Sequence, residues 1–198
     1  YNLKYPVNDA KKVKEQIKQK SKSVYEDIYT YKLFNEEVTE ENINGMFDKI
    51  KDKITVNDVF VLYIAGHGIT EDSKYQFIPY DTTKKISIDT IKTNLSKIET
   101  HKSLVLLDTC QSGAAIDSFV DETVTVNRLS QDDNRNYIVA SSKNQVALEG
   151  YKDHGVFTYS VLDAFEKNDK LKVWGLADHV SEVVPNITQE KFHFSQTP

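Results

Sequence analysis

The apolar positions of this chain change period along its length, and each change marks a boundary between strand and helix. Residues 59–65 read Val-Phe-Val-Leu-Tyr-Ile-Ala and residues 104–107 read Leu-Val-Leu-Leu. Unbroken apolar runs of this length suit strands covered on both faces of a parallel sheet, so both belong at its centre. A helical period appears instead at Val13 and Ile17, at Ile43, Phe47, Ile50 and Ile54, and at Ile88, Ile91, Leu95 and Ile98. It returns at Phe157, Val161, Leu162 and Phe165, and again at Leu176, Val180 and Val183. Thr39 stands where the second of these helices needs a cap. β-Branched and aromatic stretches at residues 24–34, 75–81, 137–142 and 191–195 read as further strands, the last at an edge. Residues 111–136 are polar and acidic without a period, the pattern of a long connection that is either functional or disordered.

Strands that alternate with helices predict an α/β fold: one domain over residues 1–198, with a mainly parallel central sheet and helices on both faces. Ligands of such sheets lie at the carboxyl ends of the strands. The first central run ends in Gly66-His67-Gly68, read as a turn, and the second in Asp108-Thr-Cys110-Gln-Ser-Gly113. An imidazole and a thiol therefore fall on the same side of the sheet.

Charge and composition remove several classes of function. Thirty acidic residues against 25 basic ones leave a net charge of −5, which argues against direct binding of nucleic acid. No apolar stretch approaches the roughly 20 residues of a membrane span, and the N-terminus lacks a signal peptide's apolar centre, so a soluble protein is expected, not a membrane one. A single cysteine fits a reducing compartment and points to a cytoplasmic location.

Cys110, as the only cysteine, has no partner for an internal disulfide. Attack by sulfur needs the thiolate, and a neighbouring imidazole supplies both a base for the thiol and a proton donor for the leaving amine. The plain alternative is a small buried hydrophobe, the usual role of a free cysteine. The sequel Gln111-Ser112-Gly113 favours catalysis, because a small polar turn leaves backbone N–H groups for an oxyanion. His67 lies between glycines, where a sharp turn would leave its ring uncovered. His101, His154, His179 and His193 lack such flanks and read as surface or satisfied core residues. A tyrosine-phosphatase cysteine would need arginine at the position of Ile116, and Ser112 lacks the glycine spacing of a nucleophile elbow. Gly66-His-Gly68 lacks the rest of a nucleotide-binding loop.

These residues resemble the caspase-like cysteine peptidases (peptidase C14-like), above all the metacaspase and bacterial caspase-homologue branch. Tyr63-Ile-Ala-Gly-His-Gly68 is similar to that family's strand-end histidine motif, and Asp108-Thr-Cys-Gln-Ser-Gly113 to its Asp-x-Cys-x-Ser-Gly motif. His67 and Cys110 are 43 residues apart, near the roughly 50 of animal caspases, whose Gln-Ala-Cys signature is replaced here by Asp-Thr-Cys. Ala140-Ser-Ser142 and His154-Gly-Val-Phe-Thr-Tyr159 look like the strand and helix of the small-subunit half.

The resemblance implies a caspase-like three-layer fold. Its parts would be a large-subunit-like region (1–115), a connecting loop (111–136) and a small-subunit-like region (137–198), with the family's first strand upstream of residue 1. It implies peptide-bond hydrolysis through a Cys110 thioester, with His67 as general acid and base and the N–H groups of Gly68 and Cys110 as oxyanion hole. Ser141 and Ser142 would meet the substrate main chain. No metal or other cofactor is required; some metacaspases respond to calcium, although no Asp-x-Asp-x-Asp-Gly loop is present here.

Asp9 and Asp108 match the acidic positions that metacaspases place around a basic P1 residue, the one before the cut bond, and Ala65 stands where many have serine. A carboxylate pair would attract lysine or arginine and repel aspartate, with the choice between the two bases open. The plain readings are a helix N-cap for Asp9 and a partner for a turn N–H for Asp108. The only arginines, Arg128 and Arg135, lie in the connection that family members sometimes cut during activation, and are the expected points of self-cleavage. Expected partners are a protein or peptide substrate and a sensor or regulatory domain fused upstream, in a molecule that stays a monomer. The competing expectation is a caspase-fold interaction or regulatory module within a larger defence or programmed-cell-death protein, without a cleavage task of its own.

Overall fold

Strand β4 (Lys102–Thr109) is buried along all but its first residue, because apolar layers cover it on both faces. The structure, a computed structural model, describes residues 3–81, 84–119, 135–168 and 171–198. β4 pairs in parallel with β1 (Val59–Glu71) on one side and with β5 (Arg135–Val139) on the other. β1 pairs antiparallel with β2 (Lys74–Ile78), and β2 with the short β3 (Ile86–Ser87), giving the order β3-β2-β1-β4-β5. The expected α/β fold is present, with a sheet that is mixed rather than mainly parallel. The second long apolar run lies inside it; the first, residues 59–65, pairs with β4 on one side while β2 pairs only with residues 67–71, and it is half-buried apart from the buried Phe60 and the exposed Val59.

Alternation along β4 sends Val105 and Leu107 to one face and Leu104 and Leu106 to the other. On the first face they meet Phe47 of helix α2 (Glu40–Lys51) and Ile88, Ile91 and Leu95 of α3 (Ile88–Ser96). Thr39 caps α2 as its position suggests, its hydroxyl accepting from the Asn42 N–H. On the second face lie Phe157 and Val161 of α5 (Val156–Lys167) and Leu176 and Val180 of α6 (Val173–Ile187). Each of these side chains contributes about 1.5–3 kcal/mol by leaving water. Helix α1 (Pro6–Ser21) buries Val13 and opens on Pro6, whose missing N–H costs nothing in a first turn.

Several elements depart from the sequence pattern. β1 does not stop at Gly66-His67-Gly68; it runs on to Glu71, and the chain reverses at Asp72-Ser73, both left-handed with φ of 48° and 64°. Residues 24–34 form no strand. Val24 is 71% exposed and Tyr29 67%, so side chains that favour strands are present without a neighbouring strand to pair with. Helix α4 (Gly113–Phe119) begins inside the stretch expected to be irregular. Residues 191–195 are no edge strand either: a π-helical turn, Thr188–Phe192, prolongs α6 and packs Phe192 against the second core face. A hairpin of β6 (Glu149–Tyr151) and β7 (His154–Gly155) precedes α5. Among the described residues, no helix is long and apolar enough to cross a membrane.

Candidate active site

In the parallel ladder of β1 and β4, Ala65 lies opposite Asp108 and Gly66 opposite Thr109. Continuing that register by one step sets His67 level with Cys110, just past the carboxyl end of β4. His67 sits in the β1–β2 hairpin opposite Ile78, and both His67 and Cys110 are half-buried.

The glycine beside the imidazole serves a close approach rather than a turn. A Cβ on Gly68 would lie 2.5 Å from the Cys110 carbonyl oxygen and 2.6 Å from Tyr75 Oη, so the hairpin rests against the nucleophile's own backbone. Gly68→Ala is expected to cost about 1–3 kcal/mol in urea unfolding through overpacking. An unchanged midpoint would show that the contact relaxes freely.

After Cys110 the chain turns on Gln111, whose φ of 55° is left-handed. A residue with a side chain holds this conformation only when its surroundings impose it. Here the Gln111 N–H donates to the Gln145 carbonyl at 2.9 Å and the Gly113 N–H to the Ser141 carbonyl at 2.8 Å. Ser112 Oγ accepts from the Ser141 N–H at 3.1 Å. Two N–H groups of the turn, those of Gln111 and Gly113, thus fix its shape rather than face an oxyanion. Cys110 Sγ donates to the Ala147 carbonyl at 3.8 Å. Burial, with the Asp108 and Glu149 carboxylates adding to it, raises the thiol's pKa. The sulfur is therefore protonated at neutral pH and needs a base when it reacts.

Beside the thiol lies a cavity of about 30 Å³ whose wall includes Leu3, Asp9, Ala65, Asp108 and Glu149. Asp9 is inside the first turn of α1, not at its cap. Its Oδ1 lies 2.5 Å from His154 Nδ1, and its Oδ2 accepts the Gly155 N–H at 2.9 Å. Asp108 is no turn partner: its Oδ2 accepts the Thr158 hydroxyl at 2.5 Å, and Tyr63 lies 2.6 Å from that same hydroxyl. With the Thr158 hydrogen committed to Asp108, Tyr63 is the donor in the second bond. Burial pushes the Asp108 pKa up to about 7 and raises that of Asp9 as well; the mutual repulsion of Glu149 with each works in the same direction.

Glu149 was not foreseen from the sequence, and neither was the partnership of His154 with Asp9. Both residues arrive on the β6–β7 hairpin, and the Glu149 carboxylate accepts the Lys4 N–H at 3.2 Å. Their only local signal is an acidic residue just ahead of the Gly-Tyr-Lys-Asp turn. His179 is satisfied by Asp163 at 2.8 Å.

Ser141, Ser142 and Arg135 are engaged with other groups of the protein in this structure. Ser141 and Ser142 do not line the cavity; the Ser141 hydroxyl lies 3.2 Å from the Gln145 carbonyl, and that of Ser142 donates to the Thr197 carbonyl at 3.1 Å. Their polar groups hold the loop together. Arg135 opens β5 opposite Ser103, with its guanidinium donating to the Leu95 and Ile98 carbonyls at 2.7 and 3.0 Å. A peptidase needs an accessible extended segment, and the bond after Arg135 is held in a ladder. Arg128 lies outside the described residues. Among the described residues, no group of three or more His, Cys, Asp or Glu side chains is placed to hold a metal ion.

The family model described as the caspase domain, Peptidase_C14, matches the chain over residues 1–198. No curated protein matches it.

Proposed function

From the premise that this chain belongs to the caspase-domain family of cysteine peptidases, we propose that it is an endopeptidase cutting after lysine or arginine, with Cys110 as nucleophile and His67 as proton carrier. The observation that carries this reading is the cavity beside Cys110, whose wall holds the carboxylates of Asp9, Asp108 and Glu149 and no basic side chain. Carboxylates taken out of water favour a cation and disfavour an acidic P1 group.

The reaction runs in two halves. His67 takes the thiol proton as Cys110 Sγ bonds to the P1 carbonyl carbon, and the N–H groups of Gly68 and Cys110 receive the negative oxygen. The protonated imidazole then gives its proton to the leaving amine, the C–N bond breaks, and a thioester remains. Water, deprotonated by His67, attacks the thioester; the acid leaves and the thiol is restored. None of these steps calls on a metal. The cavity has room for about one water, so a P1 side chain enters only as Leu3 or the segment 147–149 moves outward.

Profiling a peptide library with wild-type protein and with Cys110→Ala tests the reading. Cleavage after Lys and Arg, abolished in Cys110→Ala, is the expected result. Cleavage after aspartate would overturn the pocket assignment. No cleavage of any peptide by wild type would favour an interaction or regulatory module.

A further inference from the structure

Gln196 is a polar residue with no exposed surface at all. Its amide has one chemically sensible orientation, since a carbonyl only accepts and a backbone N–H only donates. Nε2 donates to the Ala140 carbonyl at 2.8 Å, and Oε1 accepts the Leu148 N–H at 2.9 Å. Ala140 follows β5, while Leu148 adjoins Ala147, whose carbonyl meets Cys110 Sγ. One side chain thus ties the end of the sheet to the wall that covers the thiol.

Its neighbours reinforce the tie. The Thr197 N–H donates to Gln145 Oε1 at 2.7 Å, and the Gln145 carbonyl accepts the Gln111 N–H immediately after Cys110. Residues 140–148 belong to no helix or strand, so no ladder of their own holds them in place. The segment 195–197 supplies part of that restraint from outside, beside the bonds of Gln111 and Gly113 to Gln145 and Ser141 and that of the Val156 N–H to the Leu148 carbonyl.

We infer that Gln196 is a positioning residue for the thiol centre: it holds the segment 145–149 where Ala147, Leu148 and Glu149 face Cys110 and the P1 cavity. The kinetic consequence rests on the peptidase reading; the placement of the wall is a property of the protein alone. Removing the amide leaves the buried Ala140 carbonyl and the half-buried Leu148 N–H without these bonds, and the segment shifts to satisfy them.

Two variants test this. Gln196→Met keeps the length and removes both hydrogen bonds. Gln196→Glu keeps the acceptor for Leu148 but must be protonated to donate to Ala140. At a temperature where circular dichroism shows both folded, three quantities are read. They are kcat and KM on a P1-arginine peptide, alkylation of Cys110 by iodoacetamide, and hydrogen exchange of the Leu148 amide. Gln196→Met is expected to lower kcat/KM by about 10- to 100-fold, the range that a small misplacement at a reacting centre costs. Its Leu148 amide exchanges faster and Cys110 alkylates faster as Ala147 withdraws. Gln196→Glu behaves like wild type at acid pH; once its carboxyl ionises it still accepts the Leu148 N–H but repels the Ala140 carbonyl, so, against wild type at the same pH, alkylation and kcat/KM shift toward those of Gln196→Met while Leu148 exchange changes less.

A residue with only a packing role would lower the melting temperature and leave alkylation and kinetics alone. Folded variants with wild-type alkylation and wild-type Leu148 exchange overturn the inference, whether or not peptides are cut. Wild-type protein that cuts nothing removes the peptidase reading, while alkylation and exchange still decide this one. If Gln196→Met does not fold, the contrast between acid and alkaline pH in Gln196→Glu decides alone.

Discussion

Cys110→Ala is expected to abolish peptide cleavage, with a fall in kcat on the order of 10⁶-fold, the size seen when one member of a nucleophile and base pair is removed. The substitution deletes a half-buried sulfur whose described hydrogen bond is a long one to Ala147, so the fold should lose less than about 1 kcal/mol. His67→Ala should be as inactive, and the double variant no worse than either, because the two groups act as a unit. Kinetics on a P1-arginine peptide beside urea unfolding separates loss of chemistry from loss of structure. Cleavage that survives in Cys110→Ala with the wild-type pattern would assign the chemistry to another group.

Asp108→Asn should trade activity for stability. Removing one charge from a desolvated pairing costs about 2–5 kcal/mol, so kcat/KM for basic P1 peptides should fall by roughly 30- to 5,000-fold. The opposite sign appears in folding. Burial holds the Asp108 carboxyl near 7 against an ordinary value of 3.8, so the folded state binds its proton more tightly than the unfolded chain does. That contribution is complete below about pH 4 and is lost as pH rises through 7, an effect on the order of 4 kcal/mol as an upper bound. Asparagine has no such slope. Urea unfolding at pH 4 and pH 8 should therefore show Asp108→Asn gaining on wild type only at the higher pH. Equal slopes for the two proteins would mean that the carboxyl is not desolvated. The same titration tunes substrate binding: a P1 cation favours the ionised form, so KM for basic peptides should fall as pH rises toward 7 and then level off.

What could be read from the chain depended on how local the cause was. Residues 104–107 announced themselves because a strand buried on both faces must be apolar at every position, and residues 59–65 because both of their faces pack, though only partly buried, against the two core layers. His67 and Cys110 were legible for a related reason, since each directly follows such a run. Residues 24–34 misled because Val, Tyr and Thr favour a strand only when a partner strand accepts them, and among the described residues none does. The glycines around His67 were singled out for a turn, yet the purpose of Gly68 lies in contact: it meets Tyr75 across its own hairpin and the Cys110 carbonyl, which is remote in sequence. Gln196 carried no pattern, Glu149 only its place ahead of a turn, and His154, though part of the stretch His154–Tyr159 that carries the resemblance, gave no sign of its partnership with Asp9. Each gains its role only after a hairpin or a terminal segment folds back over the thiol.

A lone, half-buried sulfhydryl lying against a movable wall makes this molecule its own optical probe. One equivalent of a maleimide dye marks a single address, so bound fluorophore counts competent centres in a preparation. Its emission would report the wall's opening with no competing thiol to engineer away among these 198 residues.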